Sequence, residues 1–540
     1  MSVQRIVGLE TEFAILEKGN VYANSVALSA EIVEELAASS VASPSKKPIA
    51  WDYRGEDPLN DARGYRMERA SAHPSQLTDN PDQLAPSGDS PFESLERLSP
   101  DELRRPRPSN TVLANGARLY LDHAHPEYSS PEVTTPREAI AYDRAGEILM
   151  AEGVELLRQK DSRDIRVYKN NVDGKGASYG AHENYLVKRS VDFDDIIHYM
   201  TPFFVTRPLI CGAGRLGIGQ RSETAGFQIS QRADYVENEV GLETTFDRPI
   251  INTRDEPHAD SSLWRRLHVI GGDANQFDVS ILLKIGTTSL LLWFLESGAD
   301  RSALDTCILA DPVHATHVVS HDPGLTELLE MADGSRRTAL DIQRVYFEVL
   351  AEAVRERGET DSHTREVLDY WEQVLDALSS DIFLAAGQVE WVAKYQLLQS
   401  LRERGGLAWD NERLLALDLQ WHDVSPERSI VAKLDAAGKI ERLVSRGDVL
   451  HALLHAPETS RAYLRGGLVS AFPHNIAAAG WNGIILDIPD HDRLLRLPLT
   501  DPRGGSREHY GKALEGAETI QDFVNRLNND DWHAEQRRDQ

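Results

Sequence analysis

From Ala117 to Asp122 apolar and polar side chains alternate without a break. Ala117, Leu119 and Leu121 fall on one side, and Arg118, Tyr120 and Asp122 fall on the other. A period of two predicts an extended strand in a half-buried sheet, with one face packed and one face carrying a guanidinium, a phenol and a carboxylate. Successive groups on that polar face stand roughly 6.6 Å apart, twice the rise per residue, which suits a row of contacts along one polyanionic ligand. The alternation by itself also fits an ordinary amphipathic strand with a solvated polar face, so its meaning depends on the rest of the chain.

A chain of 540 residues can bury a large core and is expected to divide into a large and a small domain. No run of eighteen apolar residues occurs. The nearest approach, Val279 to Leu295, is interrupted by Lys284 and by Gly286 to Ser289 and predicts a buried helix, so no membrane span is expected. Met1 leads through Val3 and Gln4 into a strand-like segment without the charged-then-apolar pattern of a signal peptide. Two cysteines, Cys211 and Cys307, provide neither a disulfide framework nor a thiolate cluster, and the expected compartment is the cytoplasm. The net charge of −28 argues against nucleic acid or an anionic membrane as partner. Between Thr201 and Ile270, however, Arg207, Arg215, Arg221, Arg232, Arg248, Arg254, Arg265 and Arg266 occur without a single lysine. Arginine's rigid fork grips carboxylates and phosphates, so this stretch holds either ordered anion contacts or, for most of the eight, structural ion pairs.

Along the chain, Ile6 to Ile15 alternates as a strand, Gly19-Asn20 turns, and Ala27 to Ala37 has helical spacing. The segment 39–110 is rich in Ser, Pro, Asp and Arg, and is expected to be a long, partly mobile insertion. Thr135-Pro136-Arg137-Glu138 is a capping box with proline at the first helical position, predicting a helix to about Leu157. Mostly short strands and polar turns are expected from Ile165 to Gly272, and a helical pattern from Leu340 to Arg404. The tail from about Ala456 contains a strand-like run, Gly483 to Leu497, and a last helix from about Ala513 to Leu527. The expected division is therefore 1–455 and 456–540.

Several segments carry further chemistry. Glu10 and Glu12 share one face of the first strand, with Leu9, Thr11 and Phe13 on the other, so a positive group must lie beside them. A hard divalent cation or an arginine pair meets that need. His182 and Asn184 share one face of another strand, and Arg266 and His268 share one face of a third. Together Glu10, Glu12, Tyr120, Glu127, His182 and His268 form an oxygen-rich set with two imidazoles, better suited to Mg2+ or Mn2+ than to zinc. Zinc held by His123, His125 and Glu127 stays open at this point. His451 and His455 have helical spacing but lack the glutamate of a zinc-protease motif. Gly212-Ala-Gly214-Arg-Leu-Gly217 matches the dinucleotide fingerprint in letters, yet the run from Ile218 to Gly226 cannot open the required helix, and a flexible turn is expected there.

The strings GLETEF (8 to 13), NGARLYLDHAHPEY (115 to 128), YKNNVDGKGASYGAHENY (168 to 185), INTRDEPHAD (251 to 260) and RRLHVIGGDAN (265 to 275) resemble the Pup ligase and depupylase family. That family is related to carboxylate-amine ligases of the glutamine synthetase type. DHAHPEYSSPE, VDGKGASYG and the insertion carrying WDYRGEDPLNDARG (51 to 64) are similar to its depupylase branch, while GLETEF is closer to the ligase form. The resemblance implies an α+β fold, with a large domain built on a curved antiparallel sheet cradle with helices on its outer face, and a small C-terminal domain. It implies Asp122 as the catalytic carboxylate and Glu10, Tyr120, Glu127, His182 and His268 as metal ligands, with Glu12 as a further metal candidate. Arg118, Tyr120, Ser129, Ser130, Asn184 and Trp481 are placed around ATP, the Trp481 indole near the base.

The activity so implied is hydrolysis of a side-chain amide at the C-terminus of Pup: deamidation of its terminal glutamine, or cleavage of its isopeptide bond to a lysine of a pupylated protein. Asp122 would attack the carbonyl or activate water, with ATP and Mg2+ as bound cofactors. Ligation of Pup by the same architecture, a non-catalytic nucleotide-sensing scaffold and a zinc peptidase are the competing readings. The arginines from Arg207 to Arg254 are expected to meet Pup, and the protein is expected to be a monomer.

Overall fold

The computed structural model describes residues 3–41, 44, 46–72, 77, 79, 92–97, 109–173, 175–358 and 361–528. Its centre is a six-stranded sheet in the order Trp264–Val269, Ala181–Lys188, Val7–Glu12, His125–Ser129, Arg118–Asp122 and Asn110–Val112. Every neighbouring pair is antiparallel. The alternation in these strands sorts the sheet into two unlike faces. Leu9, Leu119, Tyr128, Tyr185, Val187 and Leu267 enter the main hydrophobic core, and burial of such side chains contributes roughly 1.5–3 kcal/mol each. The other face is the polar one.

Helices Ser25–Ala37 and Pro136–Asp161 pack against the apolar face. The second begins where the sequence requires, with Thr135 and Glu138 closing a reciprocal capping box ahead of Pro136. It comes close to the sheet at Gly146, where a Cβ would stand 2.5 Å from Tyr128 Cδ1, so the helix and strand can touch only if that residue lacks a side chain. Asp278–Glu296 is largely apolar around its circumference because nearly all of it lies inside the protein, packed against other helices.

A second sheet has the order Ala50–Trp51, Ile476–Ala479, Gly483–Leu486, Leu494–Pro498 and Glu93–Leu95. Its two edge strands come from the 39–110 segment, and Ile49, Trp51 and Val112 join Leu464, Leu468, Ile484 and Phe523 in its core. The second core is therefore not assembled from C-terminal residues alone. The mobility expected of 39–110 concerns a segment much of which, including 80–91 and 98–108, lies outside the described residues. The two cores are tied together at Glu132, which accepts from Arg461 Nε at 2.7 Å and from Arg465 Nη2.

Two local expectations are extended and two are corrected. The stretch from Ile165 to Gly272 contains a helix, Phe193–Thr206, started by the Asp192 cap. The helices expected from Leu340 to Arg404 are present as Ala339–Arg357, Ser362–Ser380 and Glu390–Gly405, and further ones follow as Glu412–Trp421, Ile430–Ala436, Arg446–Leu454 and Ala462–Ala471. The single last helix is two, Arg507–Glu515 and Ile520–Leu527, interrupted at Gly516 and restarted by the Thr519 cap. The glycine-rich decoy is a buried hairpin strand instead of a flexible turn. Arg215–Ile218 pairs with Thr224–Gln228, with Gly214 and Gly217 at φ +69° and +91°, a backbone that favours glycine.

Candidate active site

Directly opposed residues in an antiparallel sheet point to the same side, so register alone builds the polar face. Glu10 faces His182 on one neighbour and Ser129 on the other, and Ser129 faces Arg118. One step along, Glu12 faces Glu127, and Glu127 faces Tyr120. Asn184 faces His268 at the far edge. The polar groups of five strands thus meet on one surface.

They form two clusters, Glu10 with His182 and His268, and Glu12 with Asp122 and Glu127, the possible ligand atoms within each lying no more than 4.8 Å apart. In the first, Glu10 accepts from Asn184 Nδ2 at 2.8 Å and lies 3.3 Å from His182 Nδ1. The amide oxygen of Asn184 in turn meets His268 Nδ1 at 2.9 Å and Arg266 Nη1 at 3.2 Å. Burial opposes ionisation of Glu10, but the His182 hydrogen bond and the electrostatic influence of the two imidazoles and of Arg266 outweigh it and hold the carboxyl well below its usual range. Burial, together with Arg266, keeps His268 well below the ordinary imidazole value, which leaves a neutral ring of the kind that binds cations.

The second cluster has the opposite balance. Burial pushes Glu127 well above the carboxylate range, and Asp122, Glu10 and Glu12 add to the effect. Tyr120 donates to Glu127 Oε1 at 2.5 Å, and burial followed by Glu127 raises that phenol well above its usual value. Ser129 donates to the same oxygen at 3.2 Å. Glu12 is held low despite burial by His125, whose Nδ1 lies 2.9 Å away, and it accepts the Gly180 amide at 2.6 Å. Asp122 ends its strand with Oδ1 3.0 Å from His123 Nδ1. Three converging carboxylates, one of them forced toward its neutral form, have the chemistry of a seat for a hard divalent cation.

Beside these clusters an open recess is lined by Gly8, Glu10, Ser129, Asn184, Arg266 and Trp481, among others. Arg118, paired across the sheet with Ser129, lies over the rings of Trp51 and Tyr120 with its guanidinium carbon 4.1 Å and 3.9 Å from their centroids. Ser130 lines the recess too, but its hydroxyl is spent on the Leu9 amide at 3.0 Å and the Pro131 carbonyl at 3.2 Å. The residues brought together are thus Glu10, Glu12, Tyr120, Asp122, Glu127, Ser129, His182, Asn184 and His268, with Arg118 and Trp481 at the margin. His123 and His125 serve the carboxylates beside them and are not paired around zinc with Glu127.

Other site residues were not assigned from the sequence. Trp51 of the insertion meets Trp481 edge to face at 5.0 Å and donates to Glu56 Oε1 at 2.8 Å. Burial, with Glu256 adding and Arg118 opposing, pushes Glu56 up to about 7. Glu256 accepts from Arg254 at 2.8 Å and from Arg266 at 3.3 Å, and also takes the Asp57 amide at 2.5 Å. The strings WDYRGEDPL and INTRDEPHAD contained these residues, but nothing local in either says that they meet. The arginine stretch proves largely structural. Arg207 is buried on Glu183 at 2.7 Å, and Arg215 is spent on the Gly217 and Gly219 carbonyls, which removes both from the residues expected to meet Pup.

An antiparallel sheet whose open face gathers carboxylates, imidazoles and guanidiniums beside a recess defines the class, an enzyme with its site on the sheet. The model of the Pup-ligase protein family matches residues 5–485, and the chain belongs to that family. A Pup deamidase/depupylase of Mycolicibacterium smegmatis is 43% identical over 528 residues, covering 98% of this chain and 100% of that one. The crystal structure of Pup in complex with its ligase PafA superposes with a TM-score of 0.73 at 29% identity, covering 95% of this chain and 91% of that one. The structure of PafA in complex with ADP gives 0.68 at 34%, covering 83% and 99%.

Proposed function

We infer that this protein is a Pup deamidase and depupylase. It hydrolyses the side-chain amide at the C-terminus of Pup, whether that amide is a terminal glutamine or the isopeptide to a lysine of a pupylated protein. The observation that carries the reading is the meeting of Asp122 with Glu12 and Glu127 on the open face of the sheet, together with near full-length identity to a Pup deamidase/depupylase.

ATP is the nucleotide this site would take, and Ser129, Asn184, Arg266 and Trp481, which line the recess, would hold it together with Arg118. Mg2+ is the cation this donor set would take: Glu10, His182 and His268 would hold one ion, and Glu12 and Glu127 would contribute to a second. When bound, the cation neutralises the carboxylates and polarises the oxygens brought to it. Asp122 presents its carboxylate to the amide carbonyl, directly or through a water that it deprotonates, and His123 orients that carboxylate. Tyr120 and Ser129 fix Glu127 in place. The products are a carboxylate and ammonia, or a carboxylate and the freed lysine amine. The protein acts as a monomer in the cytoplasm, consistent with its two buried thiols, Cys211 and Cys307.

The test is incubation with ATP, Mg2+ and Pup ending in glutamine. Ammonia release without matching ATP consumption is expected. Attachment of Pup ending in glutamate to a lysine, with no ammonia released from the glutamine form, would identify a ligase instead.

A further inference from the structure

Most deeply buried arginines of this protein face a carboxylate: Arg207 faces Glu183, Arg461 and Arg465 face Glu132, and Arg496 faces Asp52. Arg232 and Arg248 do not, and neither does Arg265, which packs over the Phe193 ring and donates to the Val191 carbonyl at 2.7 Å. Arg232 is 2% exposed, its Nη1 donates to the Tyr179 carbonyl, and its Nε is buried without any acceptor. Arg248 is half-buried, and it donates from Nη2 to the Ser178 carbonyl at 2.9 Å and from Nε to the Thr244 carbonyl at 3.0 Å. Among the described residues neither has a carboxylate within ion-pair distance. Burial and the adjacent charge of Arg248 both weaken the hold of Arg232 on its proton. The hydroxyl of Ser178, the residue whose carbonyl Arg248 holds, is also buried with no hydrogen-bond partner. Arg215, likewise without an acid, differs in having three acceptors of its own, Gly217, Gly219 and Ser222.

Two uncompensated guanidiniums and an idle hydroxyl are costly to bury, and an anion arriving from outside relieves all three. Their position says which anion. Both arginines hold the backbone of Ser178-Tyr179, and the next residue, Gly180, donates its amide to Glu12. Glu12 is the acidic group whose charge both arginines feel most strongly. The nucleotide recess lies at the opposite end of the first strand, around Gly8 and Glu10, so the phosphates are not the natural occupant. In a C-terminal glutamine, or in the glutamate of an isopeptide, the scissile side-chain carbon and the α-carboxylate carbon are about 5 Å apart by ordinary bond lengths.

We propose that Arg232 and Arg248, with Ser178, seat the free α-carboxylate of the substrate's terminal residue and so place its side-chain amide against Asp122. The proposal rests on the hydrolase reading above and adds the group that selects a chain terminus. An internal glutamine has no such carboxylate, so the seat restricts hydrolysis to the last residue.

The experiment needs no variant at first. Ammonia release is measured with ATP and Mg2+ on Pup ending in glutamine, once with a free α-carboxylate and once with that group converted to the carboxamide. A charge-assisted contact of this kind predicts a fall in kcat/KM of about 10- to 100-fold for the carboxamide. Arg248→Gln, in which the exposed half of the seat is lost, should process the two substrates alike at the lower rate while its ATP affinity and thermal midpoint stay those of the parent. Equal turnover of both substrates by the parent protein, or undiminished discrimination by Arg248→Gln, overturns the seat. Weakened ATP binding with discrimination intact assigns the arginines to the nucleotide and overturns it too. If the parent releases no ammonia even from the free acid, the hydrolase reading fails, a result distinct from loss of discrimination.

Discussion

The guanidinium of Arg118 lies over the indole of Trp51, 4.1 Å from its centroid, and thereby joins the central sheet to the 39–110 insertion. Arg118 also lies over the Tyr120 ring, 3.9 Å from its centroid. Such a stacked cation contributes roughly 0.5–2 kcal/mol, depending on how dry the contact is. Trp51→Ala should therefore lower ATP affinity by up to roughly tenfold by calorimetry, with the sheet intact. Unchanged affinity would show that Arg118 needs no support from the insertion.

Asp122→Asn removes the reactive carboxylate and keeps the shape. Ammonia release should fall by roughly 10³-fold or more, while ATP still binds. A scaffold that only senses nucleotide would lose nothing, so retention of activity by this variant would falsify the hydrolase reading.

Glu10→Gln and His268→Ala each take one ligand from the cluster that includes His182. The expected result is a rise of about 10- to 100-fold in the Mg2+ concentration needed for half-maximal activity, an effect of the size seen when metal-site partners are removed. Titration of activity with Mg2+ and with Zn2+ reads this directly. Zinc dependence without any response to Mg2+ would contradict the assignment of the cation.

Glu132 makes a testable contribution to acid stability. Its pKa is set against burial by Arg465 and Arg461, which hold it at about 2 against an ordinary 4.5. Because the folded value is depressed, the stabilisation is fully present above pH 4.5 and disappears as pH falls through the folded value near 2. That shift corresponds to roughly 3 kcal/mol. Glu132→Gln should cost about 3–5 kcal/mol at neutral pH, since two buried guanidiniums lose their counter-ion, and should flatten the acid limb of stability. Denaturant unfolding across pH 2.5 to 6 separates these outcomes, and an acid limb that is the same in both proteins rules the contribution out.

Gly180→Ala probes the closeness of the site. An added Cβ would stand 2.5 Å from His182 Nε2 and 2.6 Å from Glu12 Oε1. Both are movable side-chain ends, so the fold should survive with a thermal midpoint close to the parent's. Activity should fall sharply, because the groups that must move belong to both carboxylate clusters. Full activity in this variant would mean that neither Glu12 nor His182 is held at its working position by contact with Gly180.

The strands of the central sheet were legible because alternation is a local property. Arg118 to Asp122 and Glu10 to Glu12 declare their two faces within a few residues. The helix from Pro136 was legible for the same reason, its cap being contained in four residues. The helix Phe193–Thr206 was missed because its start is an aspartate cap among polar residues and its interior holds Pro202. The hairpin at Gly212 to Gly217 looked like a turn because its glycines serve positive φ angles inside a paired, buried strand.

The sequence by itself determined which residue types the polar face presents and, through its long shared strings, the family. Only the tertiary structure decided how those groups divide. Register between strands far apart in the chain places Glu12 with Asp122 and Glu127, and Glu10 with His182 and His268. It also brings Trp51 onto Arg118, Glu132 between two arginines, and Arg232 beside Arg248 without an acid. The physical reason is the range of the forces. Alternation and capping act within a turn or two of chain, whereas pairing, burial and charge compensation depend on neighbours that only folding brings together.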